Sequence, residues 1–126
     1  MMRKILVVDD EPRLVELLKI RLEANQYEVI TASNGNEALA GVQKENPSLI
    51  ILDMLMPGMD GGEFAKKLMA DAKTSWIPII FLTSLVNKAE ESSEQYKINV
   101  EQKHFQTLAK PFDSGQLIKM VKNIIG

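Results

Sequence analysis

Short apolar segments alternate along the chain with stretches in which apolar residues recur every three or four positions. Val, Ile, Leu and Phe in short runs are typical of strands buried within a sheet. The chain has five such segments, and each predicts a strand. They are Lys4–Val8, Glu28–Thr31, Leu49–Leu52, Pro78–Leu82 and Phe105–Ala109.

The stretches with helical spacing follow the first, second, third and fifth predicted strands. They run from Pro12 to Asn25, from Asn34 to Pro47, from Gly61 to about Ala72, and through Leu117–Ile125. A further helix within Leu85–Tyr96 is expected from the topology, although this stretch is mostly polar. Strands that alternate with helices predict right-handed crossovers. The expected fold is therefore α/β, a doubly wound five-stranded parallel sheet with helices on both faces.

Composition narrows the possible functions. The 126 residues are expected to form a single domain, 1–126, with no output domain. A net charge of -2 argues against direct nucleic-acid binding. The lack of cysteine excludes disulfides and thiolate metal sites, and one histidine, His104, excludes a multi-histidine site. No apolar run approaches the ~20 residues of a membrane span, so a cytoplasmic location without membrane contact is expected.

Polar residues follow the carboxyl ends of the predicted strands. They are Asp9 and Asp10 after the first, Asp53 after the third, Thr83 after the fourth and Lys110 after the fifth. Because the carboxyl ends of parallel strands share one edge of a sheet, these side chains are expected to converge. Taken singly, the acidic residues suit helix caps and turns, and Thr83 and Lys110 suit the solvated surface. Their joint occurrence at strand ends favours a functional site.

The chemistry of this set points to phosphoryl transfer. Three carboxylates in one pocket repel each other, and a divalent cation relieves the repulsion. Oxygen ligands favour Mg²⁺, or Mn²⁺, over Zn²⁺. Asp53 is the candidate nucleophile, since a carboxylate can attack phosphorus and form an aspartyl phosphate. Lys110 would neutralise charge on the phosphoryl group, and the Thr83 hydroxyl can donate to one of its oxygens.

A tight loop is predicted directly after Asp53. Pro57-Gly58 forces a turn, and Asp60 is expected to cap the next helix with Glu63 as its capping-box partner. The loop also carries Met54, Met56 and Met59. Thioethers suit irregular gaps in a core, and a soft surface for a partner is the alternative interpretation.

Four stretches together resemble the receiver domains of two-component response regulators, the CheY-like family. They are Ile5–Pro12 (ILVVDDEP), Leu52–Gly61 (LDMLMPGMDG), Pro78–Ser84 (PIIFLTS) and Lys110–Phe112 (KPF). The resemblance implies the strand order 2-1-3-4-5 and a cis Lys110–Pro111 bond. It also implies that Asp53 accepts phosphate, that Thr83 and Lys110 contact the phosphoryl group, and that Mg²⁺ is held by carboxylates and a carbonyl. The implied metal ligands are Asp9, Asp10, Asp53 and the backbone carbonyl of Leu55.

The resemblance further implies a signalling switch. Such a domain is not an enzyme in the usual sense, because it takes part only in its own phosphorylation and autodephosphorylation. The expected phosphodonor is a sensor histidine kinase or a histidine phosphotransfer protein. A downstream protein would then respond to a changed surface around Ser84–Lys110. The expected oligomeric state is a monomer or a weak dimer that depends on phosphorylation.

Two departures from the family pattern affect the expected output surface. The family usually has Tyr or Phe three residues before the lysine, where this chain has Thr107; Phe105 lies on the same strand face. The segment between Thr83 and Lys110 is also longer than usual.

Two other classes of function are alternatives. A metal-dependent phosphohydrolase with an aspartyl-phosphate intermediate usually has a second Asp two residues after its nucleophile, where this chain has Leu55. A nucleotide- or flavin-binding module would need a glycine-rich loop where the chain has Asp9–Glu11.

Overall fold

The computed structural model describes residues 2–83, 97–100 and 103–126, and the side chains of residues 2–83 and 105–126. The strands are β1 Lys4–Val8, β2 Glu28–Ala32, β3 Leu49–Asp53, β4 Ile79–Thr83, β5 Lys97–Val100 and β6 Lys103–Ala109. The helices are α1 Pro12–Ala24, α2 Gly35–Glu45, α3 Gly61–Met69 and α4 Ser114–Ile125. The helix expected within Leu85–Tyr96 lies outside the described residues. Within the described part of the chain, none of the four helices is both long and apolar enough to cross a membrane.

The strands form one sheet in the order β2-β1-β3-β4-β6-β5. The first five in this order are parallel, which confirms the doubly wound fold and the implied order of its parallel strands. The structure adds a sixth strand, because β5 pairs antiparallel with β6 at the edge of the sheet. Two residues separate β5 from β6, and so short a connection permits only antiparallel pairing. The four-residue stretch KINV gave too weak a pattern to predict it.

Helices cover both faces of the sheet, and each face has its own apolar core. On one face, α1 and α4 bury Leu18, Leu22, Leu117 and Val121 against Ile5, Val7, Ile51 and Leu82. On the other face, α2 and α3 bury Ala38, Val42, Phe64 and Leu68 against Leu6, Val8, Leu52 and Phe81. β1 and β3 alternate between the two cores, which explains why their sequences are apolar without interruption.

Side-chain caps lie at the start of three of the described helices; at α4 the Asp113 side chain accepts a hydrogen bond from the Gly115 N–H at 2.8 Å. The Asn34 side chain accepts a hydrogen bond from the Glu37 N–H at 2.9 Å at the start of α2. The Asp60 side chain accepts one from the Glu63 N–H at 2.9 Å at the start of α3, which confirms the predicted cap. These bonds satisfy N–H groups that a helix leaves unpaired at its first turn. The Asp60 cap therefore fixes the far end of the loop that follows β3.

Candidate functional site

The register of the sheet places the predicted polar residues side by side. Val8 pairs with Leu52, so Asp9 follows β1 at the level of Asp53, the last residue of β3. Thr83 pairs with Ala109, and the Lys110 N–H donates to the Thr83 carbonyl at 2.9 Å. The convergence predicted from the strand ends is therefore observed at one edge of the sheet.

Three carboxylates form the centre of the site. Asp9, Asp10 and Asp53 each offer an oxygen, and these oxygens lie within 4.8 Å of one another. Asp9 and Asp53 are buried, with 1% and 6% of their surface exposed, whereas Asp10 is exposed. Clustered carboxylate oxygens with one open side are the donor set that Mg²⁺ or Mn²⁺ prefers. The residues present therefore fit a divalent cation.

Asp9 is the most enclosed of these carboxylates. Its Oδ1 accepts a hydrogen bond from the Glu11 N–H at 3.0 Å, and its Oδ2 accepts one from Lys110 Nζ at 2.8 Å. Burial raises the pKa of the Asp9 carboxyl above its usual value, and these two hydrogen bonds oppose the rise without cancelling it. The free energy of ionising Asp9 in the fold thus depends on the groups around it.

Lys110 links three acidic side chains. Its Nζ lies 2.8 Å from Asp9 Oδ2, 3.1 Å from Glu11 Oε1 and 3.4 Å from Asp53 Oδ2. Partial burial lowers the pKa of Lys110, but the hydrogen bonds and charges of the acids outweigh it and raise the pKa above its usual value. Lys110 is therefore a fixed positive charge at the edge of the acidic cluster. The Lys110–Pro111 peptide bond is cis, as the resemblance implies.

Asp53 is oriented by the loop that follows it. Its Oδ1 accepts a hydrogen bond from the Leu55 N–H at 3.1 Å, while its Oδ2 faces Lys110. The loop turns at Gly58, whose φ of +84° lies in the left-handed region that glycine adopts without strain. It then enters α3 at Gly61, whose N–H donates to the Met54 carbonyl at 3.0 Å. The carboxylate is thus held at the end of a buried strand, under a closed turn.

A groove leads away from the acidic cluster along α1. The cavity has a volume of about 770 Å³, with Asp53 and Lys110 at one end. Its apolar lining includes Leu14, Leu17, Leu55 and Phe112, and Arg21 lies farther along α1. Leu17 and Leu55 are 44% and 51% exposed. An apolar surface of this kind beside a polar site is typical of a place where another molecule binds.

Sequence reasoning missed two features of this site. The Glu11 carboxylate pairs with Lys110, and Glu11, which directly precedes α1, makes no side-chain cap on that helix. The groove was also missed, although α1 has more apolar positions than a single buried stripe requires. That excess was the signal available in the sequence.

The two positions that depart from the family pattern differ in burial. Phe105 is 4% exposed, and its ring packs edge-to-face on Phe81 with centroids 5.4 Å apart. Thr107 is half-buried and pairs with Phe81 across the strands. Phe105 therefore belongs to the core that β4 shares with α3.

Comparison with known proteins agrees with this geometry. A family model described as the response regulator receiver domain matches residues 5–122. The chain is 40% identical over 125 residues to the alkaline phosphatase synthesis transcriptional regulatory protein PhoP of Bacillus subtilis, covering 99% of this chain and 49% of PhoP. It is 32% identical over 124 residues to protein PilH of Pseudomonas aeruginosa, covering 98% of each. The chain thus spans about half the length of PhoP and nearly all of PilH.

A solved structure agrees as well. The chemotaxis protein CheY4 of Vibrio cholerae superposes with a TM-score of 0.83 at 31% identity, covering 99% of this chain and 100% of that one. The family match spans the strands, the acidic cluster and Lys110. The chain belongs to the response regulator receiver domains of two-component signalling.

Proposed function

We propose that this chain is a phosphoacceptor switch in which Asp53 takes a phosphoryl group from a phosphohistidine. The observation that carries the proposal is the Asp53 carboxylate, held at the end of β3 with Lys110 Nζ 3.4 Å from Oδ2 and two further carboxylates beside it. In the transfer, an Asp53 oxygen forms a bond to phosphorus while the bond between phosphorus and the histidine nitrogen breaks. The histidine leaves with its electron pair.

The acidic cluster is proposed to hold Mg²⁺, with Mn²⁺ as a substitute. Asp9, Asp10, Asp53 and the backbone carbonyl of Leu55 would supply the ligands. When bound, the cation supplies positive charge that neutralises phosphoryl oxygens. The Leu55 side chain points to solvent, being 51% exposed, so its apolar character does not conflict with a carbonyl ligand.

Lys110 and Thr83 are proposed to recognise the phosphoryl oxygens. Lys110 already touches the Asp53 oxygen, so it can donate a charge-assisted hydrogen bond to the phosphoryl group without a large movement. Thr83 is buried at the end of the neighbouring strand, and its hydroxyl is suited to donate to a second oxygen. Both contacts would lower the free energy of the charged product.

The phosphodonor is proposed to be a sensor histidine kinase or a histidine phosphotransfer protein that docks on the groove along α1. An amphipathic helix can lay its apolar face on Leu14, Leu17 and Leu55 and so bring a histidine to Asp53.

Residues 1–126 are taken as a single receiver domain, acting as a monomer or a weak phosphorylation-dependent dimer without direct nucleic-acid contact. A downstream protein would respond to the changed surface between Ser84 and Lys110.

A metal-dependent phosphohydrolase is the less favoured function. Rapid hydrolysis of an aspartyl phosphate needs a group that activates water, and Leu55 stands where such enzymes usually have an acid. Glu11, a nearby carboxylate outside the proposed set of metal ligands, is paired with Lys110 at 3.1 Å. Slow autodephosphorylation is therefore expected instead of turnover of external substrates.

Phosphorylation by acetyl phosphate tests the proposal. With Mg²⁺, intact-mass measurement should show one added phosphoryl group that is lost in mild base. Asp53→Asn should not take up phosphate, because the amide is a poor nucleophile of nearly the same shape. Asp60→Asn is the matched control, since asparagine also caps a helix and the residue lies outside the acidic cluster. Stoichiometric uptake by Asp53→Asn would overturn the assignment.

A further inference from the structure

Methionines attach the loop between β3 and α3 to the core of the protein. Three of the seven methionines of the chain lie in this six-residue span, at positions 54, 56 and 59. Met56 is buried at 7% exposure, and Met54 and Met59 pack partly buried against the core shared with α2 and α3. Leu55, between two of them, faces solvent. Thioether side chains thus pack the loop beside Asp53 against the core.

Met59 packs against the start of α2. A Cβ placed on Gly35 would lie only 2.9 Å from both Cβ and Sδ of Met59, so the methionine rests directly on the first turn of α2. Met59 is half-buried, so part of the residue is open to solvent and to a small reagent. Met54 differs, because backbone hydrogen bonds to Leu82 and Gly61 already hold it.

We propose that Met59 is an oxidation site through which peroxide lowers phosphorylation of this domain. The sulfur of Met59 attacks hydrogen peroxide, the O–O bond breaks, one oxygen bonds to sulfur, and the other leaves as water after proton transfer. The sulfur loses two electrons and the peroxide gains them. A methionine sulfoxide reductase reverses the change, reducing the sulfoxide to thioether and water while two thiols become a disulfide.

The expected consequence follows from the packing. A sulfoxide is polar and bulkier at sulfur, so we expect the oxidised side chain to lose its apolar packing against Gly35 and the core and to displace the loop with it. Displacing the loop would disturb Leu55, whose N–H orients Asp53 at 3.1 Å. This consequence for phosphorylation rests on the function proposed above, whereas displacement of the loop does not.

The chain offers an internal control for this idea. Met2 is 51% exposed near the start of the chain and should be oxidised at least as fast as Met59, without effect on the loop. Met59→Leu keeps the volume and the apolar contact but cannot form a sulfoxide. Met59→Gln places a polar group at the same point without any oxidant. Met2→Leu removes the control site alone.

The test treats the purified chain with graded hydrogen peroxide. Peptide mass measurement should find oxygen on Met2 and Met59 before Met56. Hydrogen exchange should then show lost protection for residues 54–61, and uptake from acetyl phosphate should slow by about tenfold, equivalent to about 1.4 kcal/mol. The reductase should restore both. Met2→Leu should respond like the wild type, Met59→Leu should resist, and Met59→Gln should resemble the oxidised protein.

Each contrary result overturns the proposal. Met59 left unmodified while Met56 reacts would exclude it as the site. Unchanged exchange in residues 54–61 after Met59 is oxidised would exclude release of the loop. Equal losses in Met59→Leu and the wild type would assign the effect to another methionine. If the untreated protein takes up no phosphate, the proposed function fails, while hydrogen exchange still decides whether oxidised Met59 releases the loop.

Discussion

At the scale of single residues, the site contains more negative than positive charge, and Lys110 partly neutralises the excess. Lys110 reaches three carboxylates, and its own side chain is only 17% exposed. Asp9, its nearest partner, is fully enclosed and has a raised pKa because burial disfavours its charged form. A substitution that removes the charge of Lys110 should therefore raise the free energy of ionising Asp9 more than that of the other acids.

Replacement of Lys110 by Gln should destabilise the metal-free protein in a pH-dependent way. An acid whose pKa is raised by folding loses stability as pH rises through that pKa, and loss of Lys110 raises the pKa of Asp9 further. We expect a decrease of roughly 3 kcal/mol in the free energy of unfolding at neutral pH, and less below pH 4. Urea unfolding at both pH values measures it, with exposed Lys119→Gln as control. An equal decrease at both would contradict the interpretation of Asp9.

The sequence predicted the convergence of Asp9, Asp53 and Lys110 because strand ends in a parallel sheet leave little freedom. The partner of Lys110 that it missed, Glu11, sits at the start of a helix, where a carboxylate is as readily explained by the helix dipole. Spacing along the chain says which strand end a residue follows. It does not say which of two neighbouring acids a long lysine side chain will reach.

At the scale of secondary structure elements, the approach of α3 to β3 determines the shape of the site. A Cβ on Gly61 would lie 3.0 Å from the Asp53 carbonyl oxygen and 3.0 Å from Met54 Cα, both backbone atoms with little room to move. Glycine therefore lets the helix begin directly behind the loop that follows β3. The strand β5 is an element that the sequence pattern does not predict. Its four residues are too few for alternation to distinguish a strand from a loop.

Substitution of Gly61 by Ala should destabilise the fold by about 1–3 kcal/mol, because the methyl group forces the helix or the loop to shift. Gly62→Ala is the matched control one residue later. Its Cβ would meet the end of the Asp60 side chain at 3.4 Å, so helix propensity should make it neutral or stabilising. Thermal unfolding of both variants measures the difference. Equal stability of the two alanine variants would show that the close approach carries no cost.

At the scale of the whole molecule, the cation should link the site to global stability. An ion that binds only the folded state stabilises it by mass action, and relief of repulsion among three carboxylates provides the driving force.

The fold itself, with its two cores, was predictable from hydrophobic periodicity. The negative charge of the pocket was predictable from the sequence. The strength of the interactions among its charged groups was not, because it depends on distances that the pattern does not contain.

Mg²⁺ at a hundred times its dissociation constant should raise the free energy of unfolding by about 2.7 kcal/mol. The Asp10→Asn variant should lose most of this gain. Because Asp10 is exposed, the stability of the variant without metal should be nearly the same as that of the wild type. Asp71→Asn, outside the cluster, is the control. Melting curves across a Mg²⁺ titration provide the measurement, and a shift of equal size in Asp10→Asn would argue against its role as a ligand.

The central claim is that Asp53 carries the phosphoryl group, and chemical trapping tests it most directly. Borohydride reduces an aspartyl phosphate to homoserine, which marks the modified residue permanently. After treatment with acetyl phosphate and Mg²⁺, peptide sequencing by mass should find homoserine at position 53. Homoserine at position 9 or 10 instead, or phosphate uptake with no homoserine at position 53, would contradict the account.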